Sequence, residues 1–333
     1  MPGSLHLREP GISEKLHGKT QCNYSISPMT HLGTKAPAPL AAKSHQQLSP
    51  YSPTLKMMVA GSTSGSSIWD QKKKKAGILE ALADPGCGWF YRRDADTFKQ
   101  VPGTPIAYWV GGETIRNWDK GNLLSTYGRF LNGMSTGKNE AVLREWYEVG
   151  IRKVLFNSIS EREFVSSGKR YAPYNKGGDF RKWYGNQCSV IAYDKAGNDL
   201  MDSFVGHRHN NPDTYFLPSL SWSKVSSGHL AMRSFPCGFV YDVAGCSLFL
   251  NDDSVDAGAV LAFYNSSSAE LYLQFLCPSL NFEAGQIKKA PWISGGSAEL
   301  DSIRILSGES VELSKADWDS SETSWNFKRN PLV

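Results

Sequence analysis

The spacing of apolar and polar positions divides the chain near residue 75. Before that point apolar residues are scattered without period among Ser, Pro, Gly, Thr and His, and the segment closes on GSTSGSSIWDQKKKK (61–75). Such a stretch buries too little apolar surface to offset the entropy of ordering it, which predicts a disordered low-complexity tail over 1–75. The lysines at 72–75 read most simply as a solvated charge run, with phosphate contact the alternative. From Ala76 the pattern becomes periodic. GILEALA (77–83) predicts a short helix stopped by Asp84-Pro85-Gly86. VPGTPIAYWV (101–110) predicts a turn feeding a strand, because its prolines disfavour helix while Ile106, Tyr108 and Val110 alternate. Residues 76–110 are therefore read as a linker with a first strand, and 111–333 as one domain.

Within that domain, NEAVLREWYEV (139–149) places Val142, Leu143, Trp146 and Val149 on one helical face, with Asn139 as cap. SVIAYD, TYFLPSLSW and GFVYDVAGCSLFL, all between 187 and 250, are rich in β-branched and aromatic residues and broken by Gly, Pro, Asn and Asp, as strands are. Residues 254–277 return to helical spacing in two pieces. Ser267 and Glu270 form a capping box for the second, and Pro278 ends it. A last helix is predicted near 312–318. Strands and helices do not alternate regularly, so the fold class is α+β, a mixed sheet with packed helices.

Composition changes this picture little. The chain has 333 residues, 40% of them hydrophobic, enough for a packed core. The net charge of +4 is too small to argue for nucleic acid by itself. Its distribution says more. Residues 165–233 hold nine Lys or Arg and five Asp or Glu, and nine minus five equals the whole excess. Inside that window lies PYNKGGDFRKWYGN (173–186). Its cations can neutralise phosphates, its rings can stack on bases, and its glycines let a backbone approach closely. A strand-connecting loop with packed rings and solvated cations accounts for the same residues. WSKVSSG (222–228) adds serine hydroxyls, which commonly contact phosphates, and Arg233 follows. STGKN (135–139) is a small polar loop at a predicted helix start, where unpaired N–H groups favour an anion.

Other chemistry is not supported. The six cysteines have neither CxxC nor zinc-finger spacing. They read as reduced thiols of a cytoplasmic protein, and Cys188, Cys237 and Cys246 as core. His207-Arg208-His209 offers two imidazoles at i and i+2, but metal requires a third ligand and none stands out nearby, so a polar turn before Asn210-Asn211-Pro212 is the simpler reading. No metal site is therefore assigned. There is no dinucleotide fingerprint, phosphate-binding loop or zinc-protease motif. No signal-peptide core or bilayer-length apolar run is present.

The order of motifs is more specific than any one of them. VPGTPIAYWV, STGKNEAVLREWYEV, PYNKGGDFRKWYGN, SLSWSKVSSG, GFVYDVAGCSLF, CPSLNFEAGQIKKAPWI and SKADWDSSETSWNFKRNPL resemble consecutive blocks of the adenine-specific DNA methyltransferases of BREX phage-defence systems (PglX), over about residues 98–333. The resemblance implies a target-recognition region that reads duplex DNA, following a domain that binds S-adenosylmethionine and transfers the methyl group. Methylation of adenine's exocyclic amine requires an Asn/Asp-Pro-Pro-Tyr/Phe loop. The nearest strings here, Asn211-Pro212-Asp213 and Asn330-Pro331-Leu332, do not match. The chain is thus expected to be a fragment, a split gene or a truncated frame, without cofactor or catalytic residues of its own. In the implied interface Ser135, Thr136, Lys138 and Asn139 hold a phosphate at the helix start. Lys176, Arg181 and Lys182 lie on phosphates or base edges, with Trp183 and Tyr184 packing beneath or stacking. Ser223, Lys224 and Arg233 complete the groove. The alternative is a protein-interaction fragment docking on a methyltransferase chain or on other defence components.

Overall fold

The computed structural model describes residues 56–58, 71–87, 90–92, 95–251 and 254–329. Most of the expected tail lies outside these residues. Lys56–Met58, a strand paired antiparallel with Phe90–Arg92, does not, and helix α1 (Gln71–Ala83) begins before the boundary placed at 75. α1 includes the helix expected at 77–83 and stops at the anticipated Asp84-Pro85-Gly86 turn.

Two four-stranded sheets organise the rest. Their strands are β1 (Gly128–Leu131), β2 (Leu143–Glu145), β3 (Tyr171–Asn175), β4 (Ser189–Ala192), β5 (Ser219–Ser223), β6 (Met232–Phe235), β7 (Val240–Tyr241) and β8 (Gly245–Leu250). The first sheet, in order β1-β8-β5-β6, is antiparallel throughout. The second runs β7-β3-β4-β2, with β7 parallel to β3 and the other pairs antiparallel. The chain passes from one sheet to the other in the turn between β7 and β8. There a Cβ on Gly245 would collide with the Asn175 carbonyl, so only glycine allows the sheets this close. The Asn175 side chain spans the junction, donating to Ser221 Oγ at 2.6 Å.

Helices α3 (Ala257–Asn265) and α4 (Ser267–Leu276) cover the first sheet and share a core with it that includes Phe130, Trp222, Leu248, Val260, Tyr264 and Leu273. The second core gathers Phe164, Tyr174, Ile191, Tyr193, Phe216 and Val240 about the second sheet. A helix α2 (Lys195–Asp202) follows β4, capped by Asp194, whose carboxylate accepts from the Gly197 N–H at 2.9 Å. Helix α5 (Ser297–Asp319) packs on α3. No helix among the described residues is long and apolar enough to cross a membrane.

The architecture is the α+β class that the sequence predicts, with four local differences. Residues 101–110 form successive turns rather than a strand; Val101, Ala107 and Val110 are buried, while Ile106 points outward. The helix expected over 139–149 lasts one turn, Asn139–Val142. Leu143–Glu145 then pairs with Ser189–Ile191, because ladder bonds to an existing sheet outweigh a helix propensity of a few tenths of a kcal/mol per residue, roughly. The capping serine of α4 is Ser266, which accepts from the Ala269 N–H, one position before the Ser267 expected, and α5 extends far beyond the predicted 312–318.

Candidate nucleic-acid interface

The glycine-rich loop begins where β3 ends. Gly177, Gly178 and Gly185 have positive φ, and a Cβ on Gly177 would press on the Ala244 carbonyl. The loop then runs along the outer edge of the first sheet. The Trp183 N–H donates to the Met232 carbonyl at 2.8 Å, and the Ser234 N–H donates to the Trp183 carbonyl at 2.8 Å. Trp183 thereby covers the free edge of β6, which would otherwise present unpaired backbone groups. Its ring packs on the first core, and Tyr184 is buried behind it. Of the two options for these rings, packing beneath the loop is the arrangement found.

Most loop cations have internal partners. Lys176 Nζ lies 2.7 Å from Asp242, a carboxylate only 3% exposed that also accepts from the Tyr174 hydroxyl at 2.8 Å and the Ala244 N–H at 2.8 Å. Burial, reinforced by Asp242, pushes the Tyr174 phenol up. Arg181 pairs with Asp317 at 2.8 Å and lies over the Trp318 ring. Lys182 donates to the Asn265 carbonyl at 2.7 Å, and Lys224 pairs with Glu283 at 3.0 Å. Lys176, Arg181, Lys182 and Lys224 nevertheless remain partly open to solvent.

Arg233 is the clear correction. It is fully buried, so it cannot stand in the wall of an exposed groove. It donates to the Arg181 carbonyl at 3.2 Å and to Ser223 Oγ at 3.1 Å, and its Nε has no partner. Burial, then the like charge of Arg181, lowers its pKa to about 10. A buried cation without a carboxylate is costly, and replacing such a group by an apolar one of similar size is commonly neutral or stabilising. Arg233→Met is accordingly expected to leave unfolding stability within about 1 kcal/mol of the parent or above it, and duplex binding unchanged. Chemical denaturation and a DNA titration check both.

Around Ser223 the two loops form a pocket of about 110 Å³, lined by Gly178, Asp179, Phe180, Ser226 and Ser227 among others. Ser223 itself is committed, donating to the Gly178 carbonyl at 2.6 Å. The helix-start site at 135–139 also differs from expectation. Thr136 is buried and donates its hydroxyl to Asn139 Oδ1 at 2.5 Å, and the helix after it has four residues, too few for a useful dipole. Ser135 exchanges backbone bonds with Arg208, and only Lys138 is left as an exposed cation.

A different set of cations is brought together at the opposite end of β3. The Val154–Tyr171 bridge sets residues 152–153 beside 169–170: the Arg170 N–H donates to the Lys153 carbonyl at 3.0 Å, and Lys169 Nζ to the Arg152 carbonyl at 2.6 Å. Arg152, Lys153 and Arg170 are exposed, and Arg170 lies over the Tyr171 ring. None of the four forms an ion pair among the described residues. The charge count over 165–233 included Lys169 and Arg170 but missed Arg152 and Lys153. The strings IRK (151–153) and GKR (168–170) are visible in the sequence, but nothing in it says that they adjoin.

Of the cysteines read as core, Cys246 is buried, while Cys188 and Cys237 are half-buried. Burial pushes Cys246 and Cys277 up to about 12, and burial with Glu145 nearby pushes Cys188 up to about 11, far from a reactive thiolate.

Comparison with known proteins adds what the geometry lacks. No family model matches the chain. The adenine-specific methyltransferase PglX of Lacticaseibacillus casei (strain Zhang) is 35% identical over 274 residues, 79% of this chain. The chain is a relative of a segment of these methyltransferases. The adenine-specific methyltransferase BrxX of Escherichia coli O9:H4 (strain HS) is likewise 35% identical, over 238 residues and 71% of the chain. These alignments cover 22% of PglX and 18% of BrxX, so the chain matches about a fifth of each. The resemblance drawn from the motif order is therefore shown, and with it the partial extent of the match.

Proposed function

We propose that this chain is the DNA target-recognition portion of an adenine-specific methyltransferase of a BREX-type phage-defence system. The observation that carries this reading is the 35% identity with PglX across 79% of the chain. The basic cluster at Arg152, Lys153, Lys169 and Arg170 supports it, because three of the four are exposed and none has a carboxylate partner among the described residues, which suits them to neutralise phosphates. Lys176, Arg181 and Lys224 flank the far end of β3, five residues or about 17 Å away at 3.3 Å per residue. There the partly exposed Arg181–Asp317 and Lys224–Glu283 pairs can exchange carboxylate for phosphate. Buried Arg233, Tyr184 and Thr136 act as scaffold.

The described residues do not fit S-adenosylmethionine. Within the two larger sheets only β7 and β3 are parallel, and no parallel strand–helix unit presents a turn that would cradle a nucleoside.

Fluorescence anisotropy of a labelled duplex titrated with the full chain tests the reading. Binding is expected to weaken steeply with salt, log Kd rising with log salt at a slope of roughly 4 or more. Absence of binding at low salt would remove DNA recognition from this chain.

One observation favours a second reading. Helix α5 exposes Ile305, Leu306 and Leu313, the last 73% accessible, an apolar strip suited to another protein surface. A chain that ignores DNA yet co-elutes with a methyltransferase polypeptide in size exclusion would establish that docking role.

A further inference from the structure

His207 and His209 lack a third ligand in the sequence, but the fold supplies one. Helix α2 ends at Asp202, and the turn through Gly206, at φ +92°, returns the chain so that Asp202, His207 and His209 each offer a ligand atom within 4.8 Å of the others. The His207 side chain is only 6% exposed. Its Nδ1 lies 2.8 Å from the Ser135 carbonyl oxygen. A carbonyl can only accept, so Nδ1 carries a proton, and Nε2 is the ring nitrogen left to coordinate a cation. That Nε2 is buried and makes no hydrogen bond. It faces Asp202 Oδ1 at 3.4 Å, a carboxylate oxygen that is also an acceptor.

A ring nitrogen and a carboxylate oxygen at that separation suit a cation held between them. In a tetrahedral site with bonds of about 2.0–2.1 Å, ligand atoms stand about 3.3 Å apart. The His209 ring lies beside that of His207, centroids 4.6 Å apart and nearly perpendicular. We propose that Asp202, His207 and His209 bind one divalent transition-metal ion of the zinc type, with a fourth position open to water. Two imidazoles and one carboxylate suit zinc better than magnesium or calcium, which prefer all-oxygen shells. The Ser135 carbonyl is the outer partner that fixes the ligand tautomer, a common arrangement around metal-binding imidazoles. Asp202 and His209 are exposed, which gives the ion a route from solvent. Once bound, the ion ties the end of α2 to the 207–209 segment, which Arg208 pairs with Ser135. The proposal does not depend on DNA recognition.

The test uses the full chain, stripped with chelator and titrated with Zn²⁺ by calorimetry. One equivalent is expected to bind. His207→Gln and Asp202→Asn should each weaken binding by more than the roughly ten- to hundredfold that loss of an outer partner costs, while His229→Gln, at an exposed histidine paired with Glu270, leaves it unchanged. Because Asp202 and His209 are exposed, Asp202→Asn and His209→Gln keep the fold, and Zn²⁺ should raise the thermal midpoint of the parent but not of these two. Co²⁺ should give tetrahedral visible bands without thiolate charge transfer. Equal Zn²⁺ binding by parent and His207→Gln, no stoichiometric binding by the parent, or a thiolate band would each overturn the assignment.

Discussion

Replacing Arg152, Lys153, Lys169 and Arg170 together by Gln is expected to weaken duplex binding roughly a hundredfold at about 0.1 M salt, taking each exposed phosphate contact as about 0.7 kcal/mol. The same change should make the log Kd against log salt plot shallower by about three to four units, since each lost contact removes about 0.9 of slope. Stability should barely move, because these side chains form no ion pairs among the described residues and three of the four are exposed. Arg181→Ala combined with Lys182→Ala is the informative comparison. That pair removes the contact with Asp317 and the bond to the Asn265 carbonyl, so part of its effect falls on folding. If it reduced affinity and slope more than the four-residue variant does, the glycine-rich loop would be the main contact and the cluster at 152–170 would be ordinary solvated surface.

Trp222→Ala should be the most damaging single substitution in the first sheet. The side chain is fully buried, sits opposite Cys246 and Met232 on neighbouring strands, and lies tilted beside the Phe130 ring, centroids 6.1 Å apart. Its indole N–H donates to the Phe282 carbonyl at 2.8 Å. Removing it leaves a large cavity and an unpaired acceptor, together about 3–5 kcal/mol. That is a large share of a total stability that is usually about 5–15 kcal/mol. Urea unfolding followed by far-ultraviolet circular dichroism measures the loss. A change under about 1 kcal/mol would mean that the core relaxes around the missing ring far more than its packing implies.

Different parts of the chain were legible to different degrees. β4 and β8 come straight from SVIAYD and GCSLFL, because β-branched and aromatic runs between turn residues admit few other structures. α3 and α4 follow from helical spacing with local caps. Residues 139–149 carry an equally good helical pattern and yet become a strand after one turn, because β4 offers them a partner. The loop at 173–186 shows the same limit at the level of function. Its cations and rings suit DNA by composition, yet Trp183 closes a sheet edge, Lys176 neutralises Asp242 and Tyr184 is sealed inside.

What the sequence by itself determined is therefore the α+β class, several of its helices and strands, and, through the order of its motifs, the kinship with PglX. These rest on patterns that are local or that survive as strings. Only the tertiary structure decided which charges are free. An ion pair, a buried guanidinium or a carboxylate facing two imidazoles depends on residues far apart in the chain meeting in space. Arg152 joins Arg170, and Ser135 orients His207, because strands and turns bring them together, and no spacing along the sequence records that.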